Sequence, residues 1–214
     1  MLKINNVITP SYEQWKSVIL GARNPMNSYD KYDSFKDEND NFIMGDNDLN
    51  LMKRLCKSGT DHRKFMRMIN VYMDITAPLY WWKETDQYKV GTTTNSCSTM
   101  HKIHAKEFTL NDFSHEHLDK NDFHGEEALA YLEDIIVILN KSRDRFLETK
   151  DKKYWWHMIQ LLPSSYNQKR TILLNYEVLA NMYKSRKNHK LDEWREFCEF
   201  VKTLPYHELI IGEE

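Results

Sequence analysis

Six hydroxyl side chains and one amide fall within eight positions: Thr92, Thr93, Thr94, Asn95, Ser96, Ser98 and Thr99. Such donors gathered beside a rigid sheet are suited to holding a phosphate or a flavin. The same residue types favour helix N-termini, so the stretch also reads as a hydroxyl-rich turn capping the next helix. Nine histidines raise a metal reading, with His101 and His104 three apart and His115, His117 and His124 clustered further on. Two histidines at i and i+3 on a helix can share a metal. However, no carboxylate stands at a recognised spacing and no HExxH is present, so no metal site is expected. Ser96, Cys97 and Ser98 have histidines nearby in sequence but no GxSxG elbow, and neither GxGxxG nor GxxxxGK[ST] occurs. The DENDN run starting at Asp37 fails as a calcium loop, because Phe42 takes the sixth position and Asp48 the twelfth. The pairs Trp81-Trp82 and Trp155-Trp156 could stack on a planar ring, although such rings more often form core with their N–H groups bonded.

Positioning these groups falls to a chain of 214 residues, long enough for one domain with a real core. Thirty basic residues against 32 acidic ones give a net charge of -2, so no strong field selects nucleic acid or an anionic membrane. No apolar run approaches the roughly 20 residues of a membrane span. MLKINNVITP lacks the apolar core of a signal peptide. Cys56, Cys97 and Cys198 are far apart with no CxxC, which fits reduced thiols and a cytoplasmic location.

Periodicity sets out the elements. Leu2 to Ile8 reads as a short strand, and Ser11 with Gln14 forms a capping box for a helix that Asn24-Pro25 stops. Residues 24–46 are polar and read as a long, lid-like surface loop. Asn47 is expected to cap a helix running to about Lys57, with Gly59 past its end. Phe65, Ile69, Val71, Met73 and Ile75 share one parity, which predicts a strand from Phe65 to Ile75 with one buried face. An aromatic bend follows Pro78, then a second extended piece, and Asn111 to Gly125 reads as turns. Glu126 to Glu148 is an amphipathic helix, and Val137 and Ile138 widen its apolar stripe enough to predict burial on more than one face. Asp151 to Leu162 carries the second Trp pair and ends at Pro163. Ser165 and Gln168 are spaced as a capping box for a helix through Ser185, and a last helix spans about Asp192 to Lys202. The sum is an α+β fold with a central antiparallel or mixed sheet flanked by helices.

The order of these pieces resembles the flavin-dependent thymidylate synthases over roughly Asn47 to Val201. Asp61-His62 stands for that family's Glu-His, Pro78 to Trp82 for its Pro/aromatic bend, and Tyr88 to His101 (YKVGTTTNSCSTMH) for its RHRxxSxNExSxRY signature. Leu162-Pro163 precedes a helix ending at Arg186, and Glu193-Trp194-Arg195 closes the pattern. Asn95 and Ser98 match the signature Asn and the Ser that sits over the pyrimidine, Thr93 stands for the first Ser, and Arg195 matches the last Arg. The signature Arg-His-Arg is replaced by Tyr88-Lys89-Val90, its Glu by Ser96 and its final Arg by Met100. The Arg expected early in the long helix falls on Glu177. Replacing two phosphate-holding arginines removes several kcal/mol of nucleotide affinity, at roughly 1.5–3 kcal/mol per charged hydrogen bond.

The resemblance implies reductive methylation of a deoxyuridylate-like nucleotide on a homotetramer with flavin sites between subunits. FAD would shuttle hydride, methylenetetrahydrofolate would give the carbon and NADPH the electrons. Ser98 is the implied catalytic residue. Lys89, Thr93, Asn95 and His101 are the implied flavin contacts, and Ser96, Ser98 and Arg195 the substrate contacts. The alternative is a non-catalytic binding or regulatory module on the same scaffold. Convergence of other cations, such as Lys83, Lys102, Arg170 or Arg186, on the Thr93–Ser98 turn would separate the two.

Overall fold

The computed structural model describes residues 2–212. The strands are β1 (Lys3–Ile8), β2 (Phe35–Lys36), β3 (Phe42–Ile43), β4 (Asn70–Pro78), β5 (Thr93–Ser96) and β6 (Asn167–Asn175). The helices are α1 (Tyr12–Arg23), α2 (Asp46–Lys57), α3 (Leu79–Thr85), α4 (Thr99–Lys102), α5 (Phe123–Thr149), α6 (Lys152–Leu161), α7 (Tyr176–Arg186), α8 (Asp192–Val201) and α9 (Glu208–Ile211). The main sheet has the order β1-β4-β6-β5 and is antiparallel, while β2 and β3 form a separate antiparallel hairpin. Leu79 N–H donates to Tyr166 O and Tyr176 N–H to Ile69 O, each at 3.0 Å, so β4 and β6 run in opposite directions. The fold class is therefore α+β, as the sequence pattern predicts. Residue contacts divide the chain into two compact units: residues 1–3, 75–87 and 95–170, and residues 4–74, 88–94 and 171–214.

In the first unit, α5 and α6 close over Ile103, Phe108, Phe113, Leu132, Ile136, Leu139 and Met158. Asp122 caps α5 by accepting from Gly125 N–H at 3.0 Å, so the helix starts three residues before Glu126. Only one stripe of α5 is buried. Val137 is 48% exposed and Ile138 46%, which corrects the expectation of burial on several faces. Trp81 and Trp82 are fully buried, as core aromatics should be, whereas Trp156 is 46% exposed. The bend after Pro78 is helix α3, with Pro78 at its N-cap.

In the second unit, Trp15 stacks on Phe42 at 5.6 Å and meets Tyr176 and Tyr206 edge-on. The capping box of α1 forms as read, with Ser11 N–H donating to Gln14 Oε1 at 2.8 Å. Residues 24–46 are more ordered than a loop, holding two 3-10 turns and the β2–β3 hairpin. Asp37 turns that hairpin by accepting from the amides of Asn39 and Asn41.

Asn47 does not cap α2. Gly45 is the N-cap residue, and the cap is supplied from a distance: the Asp33 carboxylate accepts from Asn47 N–H at 2.9 Å and Asp48 N–H at 3.1 Å. A Cβ on Gly45 would lie 2.2 Å from Asp33 Cγ, so only glycine admits this approach. Burial pushes the Asp33 carboxyl up, but the amide donors more than offset it and hold it below its ordinary value.

One strand reading and one helix reading need correction. Lys64–Met68 is a 3-10 helix that buries Phe65 and Met66, and Asp61-His62 lies in the turn before it. The strand itself buries Val71, Met73, Ile75 and Ala77. The predicted helix from Ser165 is β6 followed by α7, because Gln168, Ile172 and Leu174 are buried with a two-residue period. Asn175 then caps α7, accepting from Val178 N–H at 3.0 Å. Asn175 also packs against Gly91, whose φ of 77° and 2.6 Å clearance from Nδ2 exclude a side chain there.

Candidate functional site

The hydroxyl stretch splits into three local structures. Thr93 to Ser96 is the exposed edge strand β5, Cys97 is a connector, and Ser98 caps α4 by accepting from His101 N–H at 3.1 Å. The capping role read from its residue types is therefore real for Ser98. It does not exhaust the region, because Ser98 also lines a cleft of about 400 Å³ contained in the first unit.

Strand β6 supplies one wall of that cleft with Asn167, Gln168 and Lys169. Cys97, Ser98, Thr99 and Lys102 supply another, and Lys106 and Asp112 lie on its rim. Three lysines, Lys102, Lys106 and Lys169, stand against one carboxylate, Asp112. The single carboxylate is already used: Lys106 pairs with it, and Thr109 N–H donates to it at 2.9 Å. Burial raises the Asp112 carboxyl, but those donors prevail and hold it below the usual range.

A hydrogen-bond network centred on the buried Gln168 sets the position of the Cys97-Ser98 segment. Cys97 N–H donates to Lys169 O at 2.9 Å, and Gln168 Nε2 donates to Cys97 O at 2.8 Å. Gln168 is held in turn by Arg170 Nε, which donates to its Oε1 at 3.0 Å. Arg170 pairs with Asp86 at 2.6 Å and lies 4.3 Å over the Trp82 ring. Arg170 thus orients the cleft wall and is itself occupied. Asn167 accepts from Ser114 Oγ at 2.9 Å, while its buried Nδ2 has no hydrogen-bond partner among the described residues.

The residues implied by the resemblance divide between the units. Asn95, Ser96, Ser98 and His101 belong to the first, and of these Ser98 lines the cleft while Asn95, Ser96 and His101 are exposed. Lys89, Thr93 and Arg195 belong to the second. Lys89 and Thr93 are exposed there. Arg195 Nη1 donates to His189 O at 2.7 Å and Lys190 O at 3.0 Å, and its Nη2 pairs with Asp192. Glu177, on the position where an arginine is expected, faces Arg63 with two N···O distances of 2.9 Å. Arg186 Nε donates to Tyr88 Oη at 3.0 Å and its guanidinium lies 4.8 Å over Trp194.

Lys102 was marked by its position beside the hydroxyls. Asn167, Gln168 and Lys169 were not, because the Ser165–Gln168 spacing reads as a helix start. The alternation that begins at Gln168 is the signal that finds them.

Thiol chemistry offers a direct check on the cleft. Cys97 is exposed, whereas burial pushes the Cys56 thiol up to about 12 and the Cys198 thiol up to about 11. In native protein at pH 8, one thiol per chain is expected to react rapidly with a disulfide reagent, and peptide mapping should place it at Cys97. A ligand filling the cleft should slow that reaction.

No protein-family model matches the sequence, and no curated protein matches it. Solved structures do. The chain is similar to flavin-dependent thymidylate synthase ThyX from Helicobacter pylori complexed with FAD and dUMP. The two are 15% identical with a TM-score of 0.65, over 98% of each chain. A second structure of that Helicobacter pylori enzyme gives 15% identity and a TM-score of 0.66 over 99% of this chain and 96% of its own. A UMP/dUMP methylase, PolB, from Streptomyces cacaoi bound with 5-Br dUMP matches at 15% identity and a TM-score of 0.66. That match covers 98% of this chain and 93% of the other. Near-complete coverage in both directions means that this chain has the fold of the flavin-dependent thymidylate synthases.

Proposed function

We propose that the chain binds a nucleotide-like anion in the Ser98 cleft and carries out flavin-dependent reductive methylation of a deoxyuridylate-like nucleotide. The observation that carries this reading is the placement of Lys102, Lys169 and Asn167 with Ser98 along one cleft. These donors compensate for the missing signature arginines. A cleft of about 400 Å³ lies within the range of about 300–1,000 Å³ used for small ligands. In this reading Lys102 and Lys169 neutralise the phosphate, and Ser98 holds the pyrimidine.

Lys89, Thr93, Asn95 and His101, all exposed, are the flavin contacts that the resemblance implies. They would hold FAD, which supplies hydride transfer, with NADPH and methylenetetrahydrofolate as co-substrates and a homotetramer as the working form. Absorption spectra of the purified protein, before and after incubation with FAD and desalting, test this directly. Bands near one flavin per chain support the reading, and a colourless protein that also fails to bind dUMP by calorimetry sinks it.

The lysines make a sharper prediction. Lys102→Ala and Lys169→Ala are each expected to weaken dUMP binding by about tenfold to a hundredfold, from a loss of about 1.5–3 kcal/mol per charged hydrogen bond. Deoxyuridine, which lacks the phosphate, should bind both variants as it binds the wild type.

A second reading is favoured by the second unit. There Glu177 neutralises Arg63, and Arg195 is spent on Asp192 and backbone carbonyls. Those cations are satisfied by the chain itself, which suits a scaffold that has become a non-catalytic binding or regulatory module. Anion binding without flavin retention would select this reading.

A further inference from the structure

Arg23 ties two pieces of the second unit together. Its guanidinium donates to Ser28 O at 3.2 Å and Lys31 O at 2.7 Å, and also to Asp48 Oδ1 of α2 at 2.7 Å. The turn over residues 24–31 is thereby fastened to α2 through a side chain that is fully committed. Between the turn and the helix lies a groove of about 600 Å³, all of whose lining residues belong to that unit. Asn47, Leu51, Arg54 and Leu55 form its helical wall. At about 100° per residue these four fall within a single arc of about 100°, so one stripe of α2 faces the groove. Met26 and Lys31 stand on the turn wall.

The lining combines two chemistries. Leu51 and Leu55 are half-buried and Met26 is 82% exposed, an apolar surface that the fold leaves uncovered. Lys31 and Arg54 are exposed cations on opposite walls. Among the described residues neither side chain has an ion pair, and no carboxylate lines the groove. We infer that this groove binds a small phosphate monoester carrying an apolar body, of the kind an aryl phosphate represents. A dianion with three terminal oxygens can engage both cations, the guanidinium through two oxygens and the ammonium as a point charge. A carboxylate, with one charge and two oxygens, satisfies only one of them. The leucines take the apolar body, and the unbranched Met26 side chain adapts to its shape. Because Arg23 fixes the distance between the walls before a ligand arrives, little ordering has to accompany binding. The inference uses no residue of the Ser98 cleft and does not rest on the flavin reading.

The test is a titration of the full chain with phenyl phosphate, read at the methionine methyl signals by NMR, with Met26→Leu identifying the Met26 signal. That signal should shift saturably at millimolar ligand or below. Lys31→Ala and Arg54→Ala should each weaken binding by about tenfold or more, the usual effect of losing a charged hydrogen bond. Both positions are exposed, and an unchanged melting temperature confirms that the fold is intact. Benzoate should bind about tenfold more weakly than phenyl phosphate. Leu51→Ala should weaken phenyl phosphate while leaving inorganic phosphate as in the wild type. Lys102→Ala, a substitution in the Ser98 cleft, should leave the Met26 titration unchanged, so the two sites fail separately. A Met26 signal that does not move overturns the inference. So does a titration that survives the loss of both cations, one that Lys102→Ala abolishes, or equal affinities for benzoate and phenyl phosphate.

Discussion

Asp48→Ala is expected to cost about 3–5 kcal/mol of folding stability, the range for breaking a buried ion pair from one side. Asp48 is fully buried and Arg23 is 3% exposed, so neither group has water to fall back on. Arg23 Nε donates to Asp48 Oδ1 at 2.7 Å, and the remaining guanidinium N–H groups reach Ser28 O at 3.2 Å and Lys31 O at 2.7 Å. The other Asp48 oxygen accepts from Asp33 N–H, Ser34 N–H and Ser34 Oγ at 3.1, 3.0 and 2.6 Å. Alanine would strand a cation and three donors at once. Asp48→Asn keeps the shape and should fall between the wild type and alanine. In urea unfolding the midpoint should drop while the slope stays constant. If Asp48→Ala shifts stability by less than about 1 kcal/mol, the network is not holding residues 23–34 against α2. The pair Arg23→Met with Asp48→Leu should recover much of the loss, since replacing both charges removes the stranded cation.

Trp82→Ala should be comparably damaging, at about 3–5 kcal/mol for a large aromatic removed from a packed core. The ring is fully buried, meets Trp81 at 4.9 Å and carries Arg170 on its face. Its Nε1 donates to Gln168 O at 2.9 Å. The effect should therefore reach beyond stability. Without the ring, Arg170 loses its platform, and Gln168 loses a bond on one side while it supports Cys97 on the other. We expect Trp82→Ala to change the rate at which Cys97 reacts with a disulfide reagent, because the segment that carries it loses support. Trp82→Phe keeps most of the apolar area and should cost about 0.5–1.5 kcal/mol for the missing hydrogen bond. Equal losses for Phe and Ala would mean that the indole N–H, and not the ring volume, carries the contribution.

The contrast between these two sites shows what the sequence made legible. Trp82 sits in an aromatic cluster after Pro78, and its burial follows from composition. Asp48 was read only as the wrong residue for a calcium loop, because its partner Arg23 lies 25 positions away. No local pattern reports such a separation. The capping box at Ser11 was readable because both partners lie within one turn, whereas the cap of α2 was misassigned to Asn47 because Asp33 reaches it across the hairpin. The run from Ser165 shows a third limit. Ile172, Leu173, Tyr176 and Leu179 fit a helical period, while Gln168, Ile172 and Leu174 fit a strand, and tertiary pairing with β4 decides between them. The cleft inherited that ambiguity, since half of its polar wall lies on β6.

The Arg63–Glu177 pair carries a consequence of its own. A guanidinium that would otherwise wait for a dissolved anion already has a carboxylate tethered to the same chain. Tethering fixes the effective concentration of that carboxylate by geometry, commonly in the millimolar range or above. A free phosphate must outcompete it, and gains nothing until it does. Stability in this part of the chain is thereby uncoupled from ligand supply. An arginine facing a diffusible anion would make folding rise with anion concentration, and the built-in carboxylate makes it constant. Glu177→Gln would restore the dependence, turning a permanently filled site back into one that responds to its surroundings.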